Sequence, residues 1–360
     1  MPVLRIGYLL AFVSIAVAVN WFAPQRHFAA FAAASAAIVP LAAELGKTTE
    51  LLAERTSAGV GGLLNATFGN AAEMIIGLTA LRSGLGDVVK ASITGSIIGN
   101  LLLVLGAALL AGGLRHPTQT FNAAAARSRT TMLLLAATAL IAPAAYNHLA
   151  GGRAAAGENS FSFEVSIVLI LSYLLGLVFT LRTHRELFAG HTAEVGAVEE
   201  EDEASSRLPW LLATLAAVSA LIAWMSEILV GSIQPVARQL GMTEVFIGVI
   251  VVAMVGNSAE QSTAVLMARK DRMDLALSIA IGSSIQIALL VAPLLVLASY
   301  LVAPAPMNLV LTPAEVLAVT FSVVIAGQIC GDGESNWFEG AQLLAVYAIV
   351  VLLFYFLPAG

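Results

Sequence analysis

The sequence predicts an all-α integral membrane fold of about eleven transmembrane helices, and three observations predict it. The chain has too little charge to cover a soluble surface, its apolar segments are long and unbroken, and one block of residues occurs twice. Of 360 residues, 59% are hydrophobic and 11% charged, whereas an ordinary soluble domain carries about 25% charged residues. The apolar stretches are continuous rather than alternating, which speaks against a membrane β-barrel. Lipid cannot satisfy the backbone of an open strand, so each stretch reads as a helix.

A spanning helix needs about 20 mainly apolar residues. On that scale the candidates are 6–23, 28–45, 57–81, 91–113, 131–149, 163–181, 208–230, 241–268, 275–301, 308–328 and 339–357. The first follows Arg5. Its Ala16-Val17-Ala18 has the form of a signal-peptide cleavage site, but the apolar run continues through Trp21 and Phe22 to Ala23, so we read it as a retained helix. Arg26 separates it from the second, which ends before Lys47 and Arg55. The third carries a single charge, Glu73, and closes at Arg82; the fourth lies between Lys90 and Arg115. The fifth runs from Arg129 towards Arg153, and the sixth ends at Arg182. The seventh begins after Arg207 and is followed by Arg238. In the eighth, Glu260 is the only charged residue from Val245 to Ala268, before Arg269, and the ninth begins after Asp274. The tenth and eleventh complete the chain.

Basic residues orient the helices. The side bearing the N-terminus collects Arg5, Lys47, Arg55, Arg115, Arg127, Arg129, Arg182, Arg185, Arg207, Arg269, Lys270 and Arg272, against Arg26, Arg82, Lys90, Arg153 and Arg238 on the other. The positive-inside rule makes the first side cytoplasmic. The acidic loop at 183–207, with Glu199-Glu200-Glu201-Asp202-Glu203, then faces the cytoplasm and the C-terminus lies outside. Most such runs are solvated linkers; the sharper reading is a cation-attracting or sensing segment.

Shifting the chain by 187 positions superposes Gly69, Asn70, Ala72 and Glu73 on Gly256, Asn257, Ala259 and Glu260, and Gly95, Ser96 and Ile98 on Gly282, Ser283 and Ile285. Arg82 falls on Arg269 and Asp87 on Asp274. An offset of five helices is odd, so the copies enter the membrane from opposite sides. That is an inverted-topology repeat, an architecture of transporters with the binding site near the midplane.

The chemistry sits in the repeat. A carboxylate at membrane depth costs at least about 2.5 kcal/mol on insertion scales, and no comparably deep Lys or Arg accompanies Glu73 or Glu260. One such Glu alone could be a structural hydrogen-bonding group. A symmetric pair with Asn and Gly at identical spacing points instead to a bound cation or protons. Asn70 and Asn257 stand three residues before each Glu, on the same helix face. Ser96 and Ser283 add hydroxyls, and Asn100 and Gln286 add amide oxygens; for the serines, helix packing is an equal alternative, and Asn65 and Asn100 could also join helices. The set is oxygen-rich, without thiol or imidazole, which suits Ca2+; Mg2+ dehydrates too reluctantly for such a cage, and Mn2+ also accepts these ligands. Metal-ligating carboxylates must be ionised, so metal displaces protons. Glu73 and Glu260 are therefore expected to bind both, and alternating access then yields exchange.

The composition excludes other classes. The net charge of −6 argues against nucleic acid. A lone Cys330 excludes a disulfide framework and a Cys-ligated metal. All five histidines (His27, His116, His148, His184, His191) lie at or near helix ends, which argues against an intramembrane enzyme.

The stretch Gly61-Gly62-Leu63-Leu64-Asn65-Ala66-Thr67-Phe68-Gly69-Asn70-Ala71-Ala72-Glu73 resembles the first signature of the calcium/proton exchangers of the calcium/cation antiporter superfamily, and Val255-Gly256-Asn257-Ser258-Ala259-Glu260 resembles the second. Ser226-Glu227, Gly282-Ser283-Ser284-Ile285-Gln286, Thr183-His184 and Asp332-Gly333-Glu334-Ser335-Asn336-Trp337 add matches across nearly the whole chain. The resemblance implies a leading helix (1–25), two five-helix repeats (26–182 and 208–360) and the acidic linker 183–207 between them. It further implies that the signature glutamates coordinate Ca2+ and exchange it for H+. The family's usual His after the second Glu is Gln261 here, which cannot titrate, and its usual Ser before Asn100 is Gly99, which removes a ligand. Both leave ion preference open, with a Na+/Ca2+ exchanger or a Mn2+ exchanger as the alternative. The partners expected are Ca2+, H+ and membrane lipid, with homo-oligomerisation open and no organic cofactor. The membrane expected is a prokaryotic plasma membrane.

Overall fold

The computed structural model describes residues 2–56, 61, 64, 67–151, 157–184, 186 and 201–358, with the backbone alone at 2–10 and 201–207. Gly62, Leu63, Asn65 and Ala66 of the first signature lie outside the described residues, as do Arg153, Arg185, His191 and Glu199-Glu200.

Among the described residues the chain is helical nearly throughout. In order, the helices are α1 (Pro2–Phe22), α2 (His27–Ala53), α3 (Ala71–Arg82), α4 (Gly86–Gly113), α5 (Ala123–Ala150), α6 (Glu158–Thr183), α7 (Glu201–Leu240), α8 (Glu244–Gly256), α9 (Ser258–Arg269), α10 (Met273–Val302), α11 (Pro313–Ile329) and α12 (Trp337–Phe356). Seven of these (α2, α4, α5, α6, α7, α10 and α12) are long and apolar enough to cross a membrane; α8 and α9 make an eighth if their pair, bent by 62°, is one span. The expected stretch 241–268 is thus helical but broken at Asn257, and α3 starts only at Ala71, after a turn at Gly69-Asn70. Both breaks fall in the Gly-Asn of the repeat, where the glycine weakens the helix. A short antiparallel ladder, β1 (Gln119–Thr120) against β2 (Glu334–Ser335), was not expected from the sequence.

The repeat is visible in the element boundaries. Shifted by 187, α3 coincides with α9 at both ends, and the first residue of α4 coincides with that of α10. Both α4 and α10 carry a π-helical stretch at the matching place, Gly99–Val104 and Ile287–Val291. Such bulges widen a helix locally and often occur at functional sites. Helix packing is reciprocal. α3 packs on the end of α10, α9 packs on the end of α4, and α2 packs along its counterpart α7.

Small residues allow this closeness, as membrane helix packing requires. α2 buries Ala30, Ala34, Ala37, Leu41 and Leu45 at helical spacing. At the crossing of α4 and α8, a Cβ on Gly95 would collide with the backbone of Val249, and one on Gly248 would lie 2.7 Å from Ala91 Cβ. Polar clamps tie the halves together at both ends. At one end Gln119 Nε2 donates to Asp271 Oδ1 at 2.8 Å and to the Ala268 carbonyl at 2.9 Å. At the other, Lys90 pairs with Asp87 at 2.9 Å and donates to the Val310 carbonyl at 3.1 Å. Asp271 has φ of 59°, at the position where the first half has Gly84 with φ of 75°. An aspartate tolerates this left-handed turn, and here its carboxylate accepts from Gln119.

Candidate cation site

The two helix breaks build the site. Each break gives a short helix whose first turn holds a carboxylate, Glu73 in α3 and Glu260 in α9. A helix N-terminus stabilises negative charge at that place. At the second break α8 ends at Gly256, and a helix C-terminus favours a cation. The breaks are interlocked. Glu73 lies against the backbone of Gly256, so closely that a Cβ there would be 3.0 Å from its Cγ and 3.3 Å from its Oε1. Even an alanine at 256 would require the Glu73 side chain to shift by a few tenths of an ångström. Glu73 and Glu260 feel each other's charge, and Ser283 lies within hydrogen-bonding reach of the Glu260 carboxyl. The two acids from opposite halves therefore lie at one place, both half-buried, with Glu260 Oε2 fully buried.

The asparagines occupy the N-cap positions of α3 and α9, where Asn usually caps its own helix. Neither does: both caps lack a side-chain hydrogen bond. Asn70 donates from Nδ2 to Gln286 Oε1 at 2.5 Å, across the interface to α10. Asn257 donates from Nδ2 to Ser96 Oγ at 2.7 Å on α4 and to the Ala253 carbonyl at 2.9 Å. Asn100 Nδ2 donates to Asn257 Oδ1 at 3.3 Å. Asn70, Asn100, Asn257 and Ser96 are each no more than 2% exposed. The structure thus brings all eight sequence-predicted residues (Glu73, Glu260, Asn70, Asn257, Ser96, Ser283, Asn100 and Gln286) to the meeting place of α3, α4, α9 and α10.

Three buried oxygens of this set find no hydrogen-bond partner among the described residues: Asn70 Oδ1, Asn100 Oδ1 and Glu260 Oε2. An unsatisfied buried acceptor costs about 1–3 kcal/mol, so three on one site need a donor or a cation. Neutral amide oxygens together with carboxylate oxygens are the donor set of a hard cation. Among the described residues no group of three or more His, Cys, Asp and Glu side chains is placed to hold a metal, so any cation here would depend on amide and hydroxyl oxygens as well as the two carboxylates.

A narrow crevice beside Glu73 is lined by Gly77, Val89, Ser92, Ile93, Ser96 and apolar residues of α10. Sequence reasoning missed Ser92, since its counterpart at the 187 shift is Ile279 and the repeat gives no sign of it. A second shallow crevice touches Asn100, Asn257, Gln261 and Tyr347. Gln261 therefore stands beside the amide network.

Comparison with known proteins follows the same lines. The sequence pattern of the family described as "Sodium/calcium exchanger protein" matches residues 26–182 and 210–356. A Ca(2+)/H(+) antiporter of Aphanothece halophytica is 43% identical over 364 residues, covering 97% of this chain and 96% of that protein. The Ca(2+)/H(+) antiporter ChaA of Bacillus subtilis is 43% identical over 91% of this chain and 92% of its own length. The solved structure of native YfkE superposes with a TM-score of 0.82 at 38% identity, covering 98% of this chain and 99% of that one.

Proposed function

The chain belongs to the sodium/calcium exchanger protein family, and from that premise we propose that it is a secondary antiporter, not an enzyme, which exchanges Ca2+ for H+ across a membrane by alternating access. Full-length similarity to Ca(2+)/H(+) antiporters supports H+ rather than Na+ as the exchanged ion. The observation that carries the reading is the joint site of Glu73 and Glu260, built from both halves and rich in unpaired oxygen.

Ca2+ is the transported substrate and no organic cofactor takes part. The ion sits between the two carboxylates, with neutral oxygens from the set Asn70, Asn100, Asn257, Ser96, Ser283 and Gln286. Two carboxylates neutralise one divalent cation, and when the ion leaves, protons must replace it or two negative charges would stand in a dry site. A carboxyl group next to another in low dielectric takes up a proton readily, whereas metal binding needs both ionised. The same atoms therefore cannot hold both ligands, and this exclusion couples the two fluxes. Alternating access follows from the architecture: a leading helix and two five-helix inverted repeats (26–182 and 208–360) joined by the linker 183–207, rocking around a fixed midplane site. Eleven spans place the N-terminus and the linker in the cytoplasm. The bacterial relatives support a plasma-membrane location.

In proteoliposomes, a pH gradient should drive 45Ca2+ uptake with no Na+ present. Glu73→Gln or Glu260→Gln should abolish it, since each removes half of the compensating charge. Uptake that requires Na+ and ignores the pH gradient would defeat the proposal.

A further inference from the structure

We infer that the four amides of the site divide into two pairs: Asn70 and Asn100 turn their side-chain oxygens to the cation, and Gln286 and Asn257 hold them in that orientation. This rests on the exchange reading for the identity of the ion, and on hydrogen bonds for the division.

An amide has a donor end and an acceptor end, and only the oxygen can ligate a cation. If the amide turns over, an NH2 group faces the ion and a ligand becomes a repulsion. The orientation of a buried Asn is set by what binds its NH2. For Asn70 that acceptor is Gln286 Oε1 at 2.5 Å, which leaves Asn70 Oδ1 buried and unpartnered among the described residues. The oxygen of Gln286 is engaged by this contact, so Gln286 acts through Asn70.

In the other half the roles are exchanged. Both amide hydrogens of Asn257 are used, on Ser96 Oγ and the Ala253 carbonyl. The second bond anchors it to its own helix α8. Its oxygen accepts from Asn100 Nδ2, and Asn100 Oδ1 is the atom left buried without a partner. The signature asparagine presents the oxygen in the first half and serves as the template in the second.

The sequence register explains the exchange. At the shift of 187, Gln286 corresponds to Gly99 and Asn100 to Ile287, so each half has one amide on its second helix but at neighbouring positions. Asn100 lies inside the π-helical stretch of α4, whereas Gln286 immediately precedes that of α10. A displacement of one residue rotates a side chain by about 100° around its helix, which sends one amide to the ion and the other to its neighbour.

Double-mutant cycles decide the matter, because residues that act through one another give non-additive effects. The quantities to be read are the KM for Ca2+ of pH-driven uptake and, on the same purified proteins, the Kd for Ca2+ by titration calorimetry. Asn70→Ala and Gln286→Leu should each raise both by roughly tenfold with maximal rate largely kept, and the double variant should be no worse than Asn70→Ala alone. Asn100→Ala and Asn257→Ala should behave alike as a second, independent cycle. Gln286→Glu, which keeps an acceptor for the Asn70 NH2, should lose less Ca2+ affinity than Gln286→Leu. Additive penalties in either cycle, or a Gln286→Leu variant equal to wild type, would overturn the division. A wild-type protein that binds Ca2+ but fails to transport it against a pH gradient would count against the exchange reading alone, since the Kd cycles still report on the amides.

Discussion

At the residue scale the account turns on two carboxylates that cannot be both protonated and metal-bound. The sign of the pH effect follows. Protons compete with Ca2+ for Glu73 and Glu260, and lowering the pH on the side from which Ca2+ loads shifts both acids to the form that cannot ligate. The KM for Ca2+ on that side should rise steadily as pH falls from about 8 to about 6, and high Ca2+ should overcome the inhibition. A KM independent of pH over that range would mean that different groups carry the proton. Glu73, Glu260 and the two asparagines were legible in the sequence, since membrane burial makes charge conspicuous and the repeat doubled the signal. Which end of each amide faces the ion was not legible, because that depends on partners more than 150 residues away in the chain. Ser92, which lines the crevice, has no counterpart in the other half and gave no sign.

At the element scale, what matters is where helices stop and how near they come. The apolar segments announced themselves by length and composition, and their boundaries moved by several residues where amphipathic ends continue past the apolar core, as in α2 and α5. Hydropathy does not reveal that 241–268 bends by 62°, since broken and straight spans have the same composition. Glycine and asparagine gave the only local hint. The close crossing of α4 and α8 was likewise invisible until Gly95 was seen against the backbone of Val249. Backbone cannot yield as a flexible side chain can, so Gly95→Val should separate the helix that bears Ser96 and Asn100 from the one that ends at the site. Overpacking of this kind costs about 1–3 kcal/mol, occasionally more. A lowered midpoint in thermal unfolding followed by intrinsic tryptophan fluorescence, together with loss of uptake, is the expected outcome; an unchanged midpoint would show that the crossing is not tight.

At the scale of the whole molecule, the two halves are joined through the site itself and through the clamps at Gln119–Asp271 and Lys90–Val310. The clamps lie at opposite ends of the repeat pair, which fits two halves that rock about a common centre. The orientation read from the basic residues has a direct check. In a Cys330→Ser background, Ser83→Cys should react with a membrane-impermeant maleimide added to intact cells, and Thr118→Cys should react only after permeabilisation; the reverse pattern would invert the topology. The repeat was legible because its polar residues resisted chance matching, whereas the ladder of β1 and β2 is too short for any periodicity to signal it. The central claim, that one pair of carboxylates holds either protons or Ca2+, is tested most directly by proton release. Ca2+ added to the purified protein in weakly buffered detergent should release protons, detected with a pH-indicator dye, and Glu73→Gln with Glu260→Gln should remove the signal. Ca2+ binding by the wild-type protein with no protons released would contradict the account.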